Sequence, residues 1–128
     1  MKIKLTKSAT ALVTIMLALF PALAAVAGEK AEDNYRTYCW QCHGMNGDGN
    51  GINVRDMSVQ PRDHTYGKEM ASRSDDELFM AIKEGGPAVN KSVLMPHWDG
   101  IFSDEEIRDL VRYLRQQCRC EHGKGTSD

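Results

Sequence analysis

The chain has 128 residues, room for one domain and little else. Sixteen basic and eighteen acidic side chains give a formal net charge of −2. Removing Lys2, Lys4 and Lys7, the only charges before residue 28, with a cleaved leader makes it −5, which argues against a general nucleic-acid role and favours protein partners with a basic docking surface.

The N-terminus reads as a secretory signal. Three lysines are followed by an apolar run from Ala11 to Phe20 and a small-residue cleavage site at Ala25-Val26-Ala27. Cleavage after Ala27 is expected, which makes residues 1–27 a signal peptide and sends the product to the periplasm. The alternative is retention as a membrane anchor, since the run from Ala11 to Ala27 approaches the ~18 apolar residues of a spanning helix. Pro21 interrupts that run.

A first helix is predicted over residues 30–42, with Tyr35, Cys39 and Cys42 on one face and Gly44 at its end. A loop follows from Gly44 to about Arg73, rich at its start in glycine, asparagine and aspartate. The second helix starts at Ser74, where Glu77 three positions on completes a capping box, and Gly85-Gly86-Pro87 stops it. The third repeats the device with Ser103 and Glu106 and carries the apolar stripe Ile107, Leu110, Val111 and Leu114. No stretch alternates as a strand would, so the fold class is all-α with long loops, and loops of that length are usually functional. The small polar residues 123–128 are expected to be a disordered tail, leaving residues 28–122 as the domain.

Within the first helix, Cys39-Trp40-Gln41-Cys42-His43 is the Cys-x-x-Cys-His pattern of covalent haem attachment. Residues three apart on a helical turn face the same way, so both sulfurs can bond one porphyrin edge. The adjacent His43 is then placed to bind iron as its proximal ligand. A thioredoxin-like pair would want a preceding strand, and a zinc site would want a second pair of ligands.

From about Tyr35 to Tyr113 the chain resembles the small single-haem class I cytochromes c. The resemblance is carried by Cys39 to His43, the following Gly44-Met45-Asn46-Gly47-Asp48-Gly49-Asn50-Gly51, the Met95-Pro96-His97-Trp98 segment and a final helix bearing Tyr113. It implies the class I cytochrome c fold, with three main helices and long loops wrapped around one covalent haem c. It also implies Met95 as the distal iron ligand, in competition with Met45, Met57, Met70 and Met80. His64 and His97 are rival ligands, each expected to be a surface or loop histidine. The family's carbonyl acceptor for the proximal histidine falls to Pro61, and its helix-crossing aromatics to Tyr35 and Tyr113. Trp98 and Arg62 have the donors to hold a haem propionate.

The expected function is transfer of single electrons between redox proteins in the periplasm, with no catalytic residue. The alternatives are a subunit of a respiratory oxidase or nitrite reductase, membrane-bound if the leader is retained, or a haem sensor or peroxidase if Met95 leaves the iron. Cys118 and Cys120 lie outside the family pattern. They are open to a local disulfide, a bridge to a partner chain, or binding of a soft metal such as Cu(I) with His122.

Overall fold

A computed structural model describes residues 28–124. The leader expected over 1–27, and residues 125–128 of the polar tail, lie outside them. Four helices are described. Helix α1 runs over residues 28–43 and is α-helical except at Tyr35–Cys39, where it widens into a π turn. Helix α2 is Gly67–Ala71, α3 is Asp75–Glu84 and α4 is Asp104–Cys118, with a 3-10 turn at Gly86–Val89. Among the described residues only two isolated β-bridges occur and no strand, in keeping with the all-α class.

Both capping boxes form. Ser74 accepts from the Glu77 backbone N–H while the Glu77 carboxylate accepts from that of Ser74, and Ser103 and Glu106 do the same. Three acidic residues occupy the first turn of each helix, where they favour the positive end of the helix dipole. Helix α3 ends at Gly85, whose φ of 82° suits glycine.

The stripe on α4 fills the core. Ile107, Leu110, Val111 and Leu114 are buried with Leu78 and Ile82 of α3 and Tyr35 of α1. Ile107 and Leu110 are almost wholly removed from water, each contributing on the order of 2 kcal/mol. Tyr35 meets Tyr113 with ring centroids 5.4 Å apart, the expected crossing of the first and last helices. Helix α2 was not expected. It starts at a glycine without a side-chain cap, but its Met70 is fully buried in the core. Arg115 ties these parts together, donating to the Met70 carbonyl at 2.8 Å, the Arg73 carbonyl at 2.6 Å and the Asp75 carboxylate at 2.8 Å.

Cys118 and Cys120 form the local disulfide, which leaves neither sulfur for a soft metal or a partner bridge. Both are buried, and Arg119 between them takes the left-handed conformation that ends α4. Of the tail, the Gly123 N–H reaches the Ala71 carbonyl at 2.9 Å and Lys124 pairs with Glu121 at 2.6 Å, so these two residues are held rather than loose.

Candidate functional site

The last four carbonyls of a helix have no partner within it. In α1 the glycine-rich loop satisfies all four. The N–H groups of Gly44, Asn53, Gly51 and Gly49 donate to the carbonyls of Trp40, Gln41, Cys42 and His43 at 2.8, 2.9, 3.1 and 2.9 Å. The loop lies so close that a Cβ on Gly51 would sit 2.2 Å from the Gln41 oxygen. The π turn precedes this end, and the Trp40 N–H bonds the Tyr35 carbonyl five residues back. Loop and π turn together fix the direction in which Cys39, Cys42 and His43 leave the backbone.

These three residues line a cavity of about 610 Å³, within the range of small-molecule and cofactor sites. Cys39 and Cys42 are unbridged and half-buried. Burial, with Cys42 nearby, pushes the Cys39 thiol up to about 12. That is the reverse of the lowered value a thioredoxin-like nucleophile needs.

The His43 imidazole is held on its edge and on its face. Its Nδ1 lies 3.2 Å from the Arg62 carbonyl, so a proton there donates to that oxygen and leaves Nε2 as the free nitrogen. The acceptor is therefore one residue beyond the expected Pro61. Pro61 still lines the cavity, but its carbonyl lies behind Gly49, 3.0 Å from where a Cβ there would stand.

On its face, His43 stacks on His64, with centroids 4.4 Å apart and planes 16° off parallel. His64 is a loop histidine, as one of the two expected placements had it, but at 6% exposed it is buried and not at the surface. Its backbone N–H bonds the Gly47 carbonyl at 2.6 Å and its Nδ1 lies 3.4 Å from the Tyr35 hydroxyl. Burial lowers the pKa of both histidines, that of His64 strongly, so both rings are neutral.

Met95, from the segment after the 3-10 turn, lines the same cavity, as does Met57. Met70 belongs to the core, Met45 and Met80 are exposed, and so is His97. Met95 is set by two glycines. Its carbonyl accepts from the Gly86 N–H at 3.0 Å, and a Cβ on Gly85 would stand 2.8 Å from that same oxygen. Trp98 lines the cavity and stacks on Phe102 at 5.4 Å, and its backbone N–H bonds the Lys83 carbonyl at 3.0 Å. The Arg62 guanidinium, expected to meet a propionate, pairs with Glu69. Sequence reasoning missed Arg73, which lines the cavity and whose buried Nε has no partner.

Two unbridged thiols beside a neutral imidazole, a thioether from a second segment, apolar walls and an orphaned cationic N–H fit a covalently attached haem with anionic substituents. Among the described residues no cluster of three His, Cys, Asp or Glu side chains is arranged to hold a bare metal ion, and no helix is long and apolar enough to cross a membrane.

Comparison with known proteins agrees with this chemistry. A family model described as "Cytochrome C oxidase, cbb3-type, subunit III" matches residues 26–114. Among solved structures, the chain is similar to one from the Kuenenia stuttgartiensis reducing HAO-like protein complex Kustc0457/Kustc0458. The TM-score is 0.58 at 26% identity, over 78% of this chain and 47% of that one. This chain thus spans about half the length of that relative. It also shares its fold with the KustC0563 c-type cytochrome, with a TM-score of 0.55 at 24% identity over 68% of this chain and 95% of that one. No curated protein matches at the same level of significance. The match over residues 26–114, on a helical fold whose Cys-x-x-Cys-His motif lines a haem-sized cavity, means that the chain belongs to this cytochrome c family and is a small c-type cytochrome.

Proposed function

We propose that this chain is an exported, periplasmic carrier of single electrons, holding one haem c through Cys39, Cys42, His43 and Met95. The observation that carries this reading is the convergence on one apolar cavity of the attachment motif and a methionine more than fifty residues further on. When bound, the haem supplies a one-electron iron couple whose reduced state a histidine and methionine pair favours.

The chain's own residues supply the rest. Cys39 and Cys42 fix the group's position through thioethers, and His43 presents Nε2 while its Nδ1 proton stays on the Arg62 carbonyl. Leu78, Ile82, Leu110 and Leu114 exclude water, and Arg73 offers its free Nε to an anionic substituent. With two protein ligands no position stays open for a substrate, so no residue is assigned a catalytic role. Met57 is the weaker candidate for the second ligand. It comes from the same loop as Arg62 and lacks the paired glycines that set Met95.

A second reading, a cytochrome module of a larger redox complex, is favoured by the similarity to a chain of the reducing HAO-like complex.

Material matured in a host that attaches haem tests both. Mass spectrometry is expected to find one haem on the wild type and none on a Cys39→Ser, Cys42→Ser double variant. Met95→Ala is expected to abolish the methionine-to-iron charge-transfer band and yield high-spin iron, while Met57→Ala leaves both unchanged. An unchanged Met95→Ala spectrum would remove Met95 from the iron, and a wild type without the band would reopen the sensor or peroxidase reading. Elution at monomer size from native periplasm supports the free carrier, and co-elution with a larger haem protein supports the module.

A further inference from the structure

His64 stacks on the proposed iron ligand His43 without itself reaching the iron's proposed ligand set. His64 is a buried polar side chain on a loop, a place where burial costs free energy unless the ring is hydrogen-bonded. Its contacts are specific. One face lies parallel to His43 at 4.4 Å, its Nδ1 meets the Tyr35 hydroxyl at 3.4 Å, and its own backbone is pinned to Gly47 at 2.6 Å. Tyr35 is held in turn, its hydroxyl donating to the Gly44 carbonyl at 3.2 Å and its ring against Tyr113 at 5.4 Å. A chain of rings thus runs from the helix crossing to His43.

The Arg62 carbonyl fixes only one edge of the His43 ring and leaves it free to rock about the line through Nδ1. A flat ring at stacking distance removes that freedom, because rocking would drive one imidazole into the other.

We propose that His64 is a positioning residue, which with Tyr35 sets the rotational angle of the His43 imidazole about its bond to iron. The inference rests on the reading of His43 as an iron ligand. The angle would matter because the plane of a bound imidazole, together with the sulfur of the second ligand, biases which iron orbital holds the unpaired ferric electron. That choice governs how spin density is shared among the four porphyrin quadrants, which the haem methyl shifts report.

The ferric holoprotein provides the test, through the paramagnetically shifted haem methyl resonances and the low-temperature g-tensor. His64→Leu removes both the stack and the bond to Tyr35. The spread of the methyl shifts is expected to contract and the g-signal to broaden, as the imidazole samples several angles. His64→Phe keeps a flat ring and is expected to restore most of the spread, and Tyr35→Phe, which loses only the hydroxyl, to give a small contraction. A merely structural role would lower the melting temperature of His64→Leu without moving the methyl pattern, and that result overturns the proposal. Should His64→Leu fail to fold, an unchanged methyl pattern in Tyr35→Phe overturns it as well. A wild type without low-spin histidine-ligated iron instead overturns the parent reading, and this inference with it.

Discussion

The two walls of the cavity are built differently. The His43 wall is closed by four amides of the following loop on the end of α1 and by contacts between distant parts of the chain, the Arg62 carbonyl and the rings of His64 and Tyr35. The Met95 wall is shaped by turns within residues 85–95 and tied to α3 only at its end, where the Trp98 and Asp99 backbone N–H groups reach the Ile82 and Lys83 carbonyls, and its outer side leaves Val93 79% and Leu94 58% exposed. Interlocked long-range contacts fail together, whereas local turns fail alone. The first wall should therefore share the stability of the whole domain, and the second should open independently.

Substitutions at glycine break this contrast most directly. Gly51→Ala sets a methyl against the Gln41 carbonyl, which α1 cannot move, and is expected to cost at least about 3 kcal/mol in thermal unfolding. Gly86→Ala meets the Ser92 carbonyl in a turn that can shift. Its expected cost is about 1 to 2 kcal/mol, with loss of the methionine charge-transfer band well below the melting temperature. Equal losses of stability, with the band retained to the melt in both, would show the walls to be one unit.

A smaller effect sharpens the comparison from the helix starts. Ser103→Ala removes the cap of α4 and is expected to cost about 1 kcal/mol by denaturant unfolding, without changing the spectrum.

The smallest effect is a pH dependence. The hydrogen bond from Lys30, with that from the Ser103 backbone, lowers the Glu106 carboxyl from 4.5 to about 2. A group depressed in the fold contributes stability above its unfolded value and loses it as the pH falls toward its folded one. Between about pH 4.5 and 2 the tie from α4 to α1 should therefore weaken. Solvent screening keeps the effect modest. Glu106→Gln is expected to flatten this part of the acid unfolding curve, and an unaltered curve would mean that Lys30 adds nothing.

What the sequence made legible follows from how local each signal is. The Ser74 and Ser103 boxes, the apolar stripe of α4 and the Cys39 to His43 motif each lie within a few residues; the boxes and stripe form as expected, and the three motif side chains line one cavity. Burial of His64 depends on the Gly47 carbonyl and the Tyr35 ring, contacts that no local pattern announces. The shift of the histidine acceptor from Pro61 to Arg62 is one residue of loop register, which resemblance alone does not resolve. Helix α2 escaped notice because its burial, rather than a cap or a long period, sustains it.

The wide turn at Tyr35–Cys39 takes up one residue more than an α-helical turn would. A residue deleted there would let the backbone close into an ordinary α-helix and leave everything downstream near its present direction. The same deletion in the α-helical turn before it would rotate the thiols and imidazole through about 100° about the axis, away from the cavity mouth, relative to the block that grips the last helix. The wide turn is thus the one place in this helix where the length can change by a residue without turning the attachment motif.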